Sequence, residues 1–122
     1  MKTKRNIERE HAALVRRLKK DPSEIIAEIH ERDVDLIHMA LGLSGEAGEV
    51  VDAIKKYSIY CNDLNVANVI EELGDIEFYA EGLRRIIGVS RREVLRRNIE
   101  KLTKRYGRQY SDRAAIERKD KA

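Results

Sequence analysis

The sequence has little of what characterises β-rich or membrane-spanning proteins. Its 122 residues include no tryptophan, one proline and one cysteine, and aromatic residues make up only 5%. This scarcity disfavours a β-sandwich, whereas a charged fraction of 39% is typical of long solvated helices. No apolar run approaches the roughly 20 residues that a membrane-spanning helix needs, so we expect no membrane association. The composition therefore predicts an all-α protein.

The single cysteine and the first residues bear on the cellular compartment. Cys61 has no second cysteine with which to form an internal disulfide or a cysteine-based zinc cluster, which fits a reducing cytoplasm. The opening residues, MKTKRNIEREHAALVRR, lack the apolar stretch of a secretory signal. A hydrophobic content of 42% is too high for a disordered chain, and the length suits one core. We expect a single cytoplasmic domain over residues 1–122.

The charges are unevenly distributed along the chain. Residues 91–122 carry 12 Lys or Arg and 5 Asp or Glu, whereas residues 1–90 carry 13 and 17. Such a basic segment suits either nucleic acid or phosphates that are held near the acidic part. Only Tyr106 and Tyr110 interleave aromatic rings with these cations, which disfavours nucleic-acid binding.

Capping and turn signals predict four to five helices that form an antiparallel bundle. Asp21 precedes Pro22 as a helix start, Asn65 can cap a second long helix, Gly88 can end it, and Ser90 begins a Ser-x-x-Glu capping box. The apolar periodicity continues from Ile25 to Ile54, either without interruption or with a break near Glu31–Asp33. The expected helices cover about residues 5–19, 22–54, 66–87 and 91–106, and residues 107–122 form a flexible tail or an arm that docks on a partner subunit.

Two pairs of acids stand at helical spacing within apolar segments. Glu46 and Glu49 form one i,i+3 pair, and Glu72 and Asp75 form another, so each pair projects from one side of its helix. The 22 residues between the pairs suffice for a turn and a return helix, which would bring the pairs opposite each other. Four facing carboxylates repel one another unless a proton, a cationic side chain or a divalent ion intervenes. Mg²⁺ is the divalent cation that suits this site best, because it prefers oxygen ligands and bridges to phosphates.

Other polar side chains share the expected directions of these acids. On a helical wheel Lys56 points toward the side of Glu46 and Glu49, as does His38 if the helix continues back through the glycines. In the last helix Asn98 and Lys101 form a polar stripe that suits an anionic ligand. Gly42, Gly45 and Gly48 interrupt the first long helix and predict a close helix crossing, a kink or open space.

These motifs resemble a known family. The runs LGLSGEAGEV at residues 41–50 and EELGD at residues 71–75 resemble the MazG-like branch of the all-α nucleoside triphosphate pyrophosphohydrolases, whose signature is Glu-x-x-Glu, a spacer, then Glu-x-x-Asp. The run NIEKL at residues 98–102 with Arg105 and Tyr106 is similar to the ending of phage-type members. The likeness spans about residues 38–106. Gly45 departs from the many members that carry an acid at that place.

The resemblance implies an activity and a role for each site residue. It implies Mg²⁺-dependent hydrolysis, with Mn²⁺ as a substitute, of a nucleoside triphosphate such as dGTP or dATP to a monophosphate and pyrophosphate. Glu46, Glu49, Glu72 and Asp75 would be metal ligands, with Glu46 or Glu49 also acting on the attacking water. Lys56, Asn98 and Lys101 would bind phosphates, and His38 would lie near the base or sugar. It also implies a homodimer or a tetramer built from dimers, in a bacterial cytoplasm or in the host cytoplasm of a phage.

Two other functions are compatible with the residues alone. One is a non-catalytic helical oligomer whose carboxylates bind a structural ion or form salt bridges with the basic last helix. The other is a basic helical module for nucleic acid.

Overall fold

The computed structural model describes residues 6–121, which form α-helices and one 3₁₀ helix and contain no strand. The prediction of an all-α fold is confirmed. The α-helices are α1 (Ile7–Leu18), α2 (Pro22–Glu28), α3 (Glu31–Ser58), α4 (Val66–Ile87), α5 (Arg91–Tyr106) and the short α6 (Asp112–Glu117), and the 3₁₀ helix is Lys119–Lys121. Position 5, where we expected the first helix to begin, lies outside the described residues. None of the described helices is long and apolar enough to span a membrane.

The chain divides into two compact units, Met1–Val34 and Asp35–Ala122. In the first unit the predicted helix start at Pro22 is confirmed, because the Asp21 carboxylate accepts a hydrogen bond from the backbone N–H of Ser23 at 2.8 Å. The break before α3 comes slightly earlier than predicted. Ile29 ends α2 with an extended backbone, and the backbone N–H of His30 donates to the Asp33 carboxylate at 2.9 Å.

In the second unit the ends of α4 and α5 follow the predicted signals. Asn65 accepts a hydrogen bond from the Asn68 N–H at 3.0 Å, and Gly88 ends α4 in the left-handed conformation with φ of 71°. Ser90 caps α5 by accepting from the Glu93 N–H at 3.1 Å. The Glu93 carboxylate forms ion pairs with arginines of its own helix, and those hydrogen bonds lower its pKa to about 2.

Helices α3 and α4 form an antiparallel hairpin. Three contacts define its register: Met39 lies against Gly82, Gly42 against Tyr79, and Glu46 against Glu72 and Asp75. Along this series the residue number rises on α3 while it falls on α4, as the antiparallel arrangement requires. In the described chain only Ala53 is buried, with 8% of its surface exposed. The hairpin alone therefore leaves most of its apolar residues in contact with solvent.

The C-terminal segment packs on its own chain. Asp120, in the 3₁₀ helix, accepts two hydrogen bonds from the Arg105 guanidinium of α5, at 2.6 and 2.9 Å. The side chains of Asp120 and Arg105 are only 1% and 14% exposed. Within the described chain this segment packs on α5. Whether it also acts as a flexible tail or as an arm on a partner subunit stays a prediction.

Asp120→Asn is expected to release this segment from α5, because a neutral amide cannot replace the charge-assisted pair with Arg105. The Arg105 hydrogen bonds hold the pKa of Asp120 down at about 2, below its usual 3.8. The pair therefore contributes fully above about pH 4, and its contribution is lost as the pH falls through about 2. Amide hydrogen exchange of residues 108–121 measures the release, with Arg108→Gln as the control, because Arg108 is an exposed charged residue of the same segment. Equal protection in the two variants at neutral pH would contradict this role of Asp120.

Candidate active site

The two predicted acid pairs lie on α3 and α4, and the hairpin brings three of the four carboxylates together. One oxygen each from Glu46, Glu72 and Asp75 lies within 4.8 Å of the other two. Glu46 and Glu72 are half-buried, whereas Asp75 is exposed. Glu49 is exposed and lies outside this group of three, one turn further along α3. We call Glu46, Glu72 and Asp75 the acidic cluster.

The electrostatics of the acidic cluster are unfavourable without a counter-charge. Burial raises the pKa of Glu72, and a hydrogen bond with Glu46 and the negative charges of Glu46, Glu49 and Asp75 raise it further. Within residues 6–121 no lysine or arginine forms an ion pair with the acidic cluster. The cluster therefore favours a proton or a cation from solution.

The chemistry of this donor set fits a hard divalent cation. All three groups offer carboxylate oxygens, the ligands that Mg²⁺ prefers. Two oxygens on one Mg²⁺ ion are at most about 4.2 Å apart, because each Mg–O bond is about 2.1 Å long. The observed limit of 4.8 Å is wider by only a few tenths of an ångström. Small side-chain movements would therefore suffice to bring the three oxygens to one ion.

Lys56 lies two turns beyond Glu49 on α3 and is held by a neighbour on its own helix. Its ammonium group pairs with the Asp52 carboxylate at 2.7 Å, which raises the pKa of Lys56 and lowers that of Asp52. The charge of Glu49 also raises the Lys56 pKa, although less strongly. Lys56 lines a polar pocket of about 270 Å³ at the α3–α4 connection; its other lining residues are Ala53, Asn62, Asp63, Asn65 and Asn68. This pocket places a cation and several amides on the hairpin.

His38 lies on α3 two turns before Glu46 and is exposed. Its ring centroid is 6.5 Å from that of Tyr79, at an interplanar angle of 66°, in an edge-on contact. Tyr79 was absent from the predicted site, although its position one turn after Asp75 places it on the acidic side of α4. The structure thus adds an aromatic pair beside the acidic cluster.

Asn98 and Lys101 are exposed on α5. Within the described chain, α5 packs mainly against α6 and the 3₁₀ helix, and no hydrogen bond or ion pair joins Asn98 or Lys101 to the acidic cluster. The structure of one chain therefore brings His38, Lys56 and the four acids to the α3–α4 hairpin and leaves the α5 residues apart.

The arginines at the start of α5 are largely paired with acids. Arg96 binds Glu93 and Glu100, and Arg97 binds Glu93 at 2.6 Å. Arg91 lies 3.6 Å from Glu77 of α4. These pairs reduce the charge that the basic segment offers to an anionic partner, and they involve none of the acids of the cluster.

Comparison with known proteins gives one finding that covers most of the second unit. The family model of the MazG nucleotide pyrophosphohydrolase domain matches residues 35–108, which include α4, α5, the acidic cluster and most of α3. No curated protein and no solved structure matches the chain significantly.

Proposed function

Because the chain belongs to the MazG nucleotide pyrophosphohydrolase family, we propose that it is a Mg²⁺-dependent enzyme that hydrolyses a nucleoside triphosphate to a monophosphate and pyrophosphate. The observation that carries this proposal is the acidic cluster, in which three carboxylate oxygens from two helices lie within 4.8 Å. Mn²⁺ would substitute for Mg²⁺, since both accept oxygen ligands. We propose a deoxynucleotide such as dGTP or dATP as the substrate.

Each acid has a distinct part in this proposal. Glu46, Glu72 and Asp75 would hold the ion. When bound, Mg²⁺ would neutralise the polyphosphate and lower the pKa of a water ligand. Glu49 projects from the same side of α3 as Glu46 but stands outside the acidic cluster. Its carboxylate is therefore available to orient the attacking water and to accept its proton.

The remaining predicted residues would contact the nucleotide. Lys56 would bind a phosphate and would exchange its ion pair with Asp52 for that contact. His38 would lie near the base or sugar, on the side of the acidic cluster where Tyr79 also lies. Asn98 and Lys101 would also bind phosphates, and in our proposal a neighbouring copy supplies them because α5 makes no hydrogen bond to the cluster of its own described chain.

An oligomer is part of the proposal because α4 carries an apolar stripe on the side opposite the acidic cluster. Val66, Ile70 and Leu73 follow one another at i, i+4 and i+7, and their exposures are 56, 64 and 49%. Such spacing is typical of a helix–helix interface. We propose that the stripe packs against a second copy, in a homodimer or in a tetramer built from dimers.

A panel of NTPs and dNTPs with Mg²⁺ tests the proposed function. We expect nucleoside monophosphate and pyrophosphate in equal amounts, because cleavage lies between the α and β phosphates. Nucleoside diphosphate with orthophosphate would contradict the proposed reaction. Chelation that shifts the melting temperature, without turnover of any nucleotide, would instead support the non-catalytic helical oligomer.

A further inference from the structure

Two glycines of the hairpin, one on α3 and one on α4, each lie against a side chain of the other helix. A Cβ atom added to Gly42 would overlap the Tyr79 ring at Cε1, Cδ1 and Cζ. A Cβ atom added to Gly82 would overlap the Met39 side chain at Sδ and would lie 3.0 Å from its Cγ. The other glycines of α3 differ, since the space around an added Cβ is open at Gly45 and at Gly48.

The two contacts differ in how easily the side chain opposite the glycine could move. Met39 is a flexible side chain, so its thioether can rotate away from a new methyl group. Tyr79 is a rigid ring, flanked by the His38 ring at 6.5 Å and by the Phe78 ring at 5.1 Å. A methyl group at position 42 would therefore displace the ring or push the two helices apart.

The Gly42–Tyr79 contact lies next to the acidic cluster. Gly42 precedes Glu46 by four residues on α3, and Tyr79 follows Asp75 by four residues on α4. Because the helices are antiparallel, this contact lies four residues, about 6 Å along the helix axes, from the acids of the cluster. The cluster already spans up to 4.8 Å. A further separation of about 1 Å would leave its oxygens too far apart for one Mg²⁺ ion.

We propose that Gly42 is a positioning residue for the acidic cluster. Its missing side chain leaves a notch in α3 that receives the Tyr79 ring, and the seated ring sets how closely α4 approaches α3 at Glu46. This inference deepens the proposed function and rests on it, because it assigns the glycine a role in the affinity of the cluster for Mg²⁺.

Titration calorimetry of the full-length protein with Mg²⁺ alone tests the inference without any nucleotide. We expect Gly42→Ala to weaken Mg²⁺ binding by about 10- to 100-fold, the range typical of changes to groups that orient metal ligands. Gly45→Ala is the matched control, because it makes the same chemical change on the same helix in open space. We expect its affinity to stay within about twofold of that of the unaltered protein.

A second substitution separates positioning from a general loss of stability. Tyr79→Leu removes the ring that a new methyl group at position 42 would strike, so the double variant should bind Mg²⁺ as tightly as Tyr79→Leu alone. If Gly42→Ala alone fails to fold, recovery of folding and of Mg²⁺ binding in the double variant would still assign the effect to the contact between position 42 and the Tyr79 ring. Weaker binding by the double variant than by Tyr79→Leu would overturn the inference, as would unchanged binding by Gly42→Ala. If the unaltered protein bound no Mg²⁺, the proposed function would fail, and the inference with it.

Discussion

Glu72→Gln is expected to reduce pyrophosphate release by on the order of 100-fold or more while leaving the chain folded. The substitution removes one of the two half-buried carboxylates of the acidic cluster. It therefore takes away a proposed metal ligand with almost no change in side-chain volume. The amide can still donate a hydrogen bond to Glu46, and the loss of one like charge relieves repulsion within the cluster. Without metal, the variant should melt at or above the temperature of the unaltered protein.

Thermal unfolding with and without Mg²⁺ checks this expectation independently of turnover. At about one hundred times its dissociation constant, a ligand stabilises the folded state by about 2.7 kcal/mol, which for a chain of this size raises the melting temperature by on the order of 10 °C. Glu72→Gln should lose most of that increase. Glu71→Gln is the matched control, because Glu71 is exposed, adjacent in sequence and outside the cluster. Equal activity in the two variants would contradict the assignment of Glu72.

Those features of the fold that depend on neighbouring residues could be predicted from the sequence. The caps at Asp21, Asn65 and Ser90 and the helix end at Gly88 each require hydrogen bonds or backbone freedom within a few residues. The break before α3 was less predictable. There the apolar periodicity continues through Ile29, and only the side chain of Asp33, which accepts from His30, shows where α3 begins.

Apart from the meeting of the acid pairs, contacts between distant segments could not be predicted. Asp120 pairs with Arg105, 15 residues away, and nothing local distinguishes Arg105 from the other cations of the basic segment. The contacts of the glycines of α3 also depend on a distant segment. All three weaken a helix equally, but only Gly42 meets a side chain of α4, because only the register of the hairpin determines which glycine faces Tyr79.

The candidate site combines both kinds of information. The helical spacing of each acid pair is local, so the sequence alone indicates that Glu46 and Glu72 project from definite faces. The distance between the pairs depends on the hairpin, which places Glu49 outside the cluster. Asn98 and Lys101 lie on α5, and their distance from a nucleotide would depend on the assembly of several chains.

A double substitution of Ile70 and Leu73 by aspartate is expected to dissociate the proposed oligomer. Both side chains lie on the exposed apolar stripe of α4, and we propose that a second copy covers them. Each substitution removes about 1.5–3 kcal/mol of the free energy that burial of the apolar side chain contributes to association. Each new carboxylate would also need a polar partner in the interface. The dissociation constant should therefore rise by at least about 100-fold. Sedimentation velocity at micromolar concentration should show a shift toward monomer.

The same interface should make folding depend on protein concentration. Only Ala53 is buried in the described chain, so a separate monomer has little core. Dilution favours the monomer, and the melting temperature of the protein should therefore fall as its concentration is lowered. This measurement needs no variant and holds even if the double substitution prevents folding. Gln109→Glu is the control for added charge, because it places a carboxylate at an exposed position outside α4. A sedimentation coefficient and melting temperature that stay unchanged in the double variant, together with melting independent of concentration, would show that this stripe is no interface.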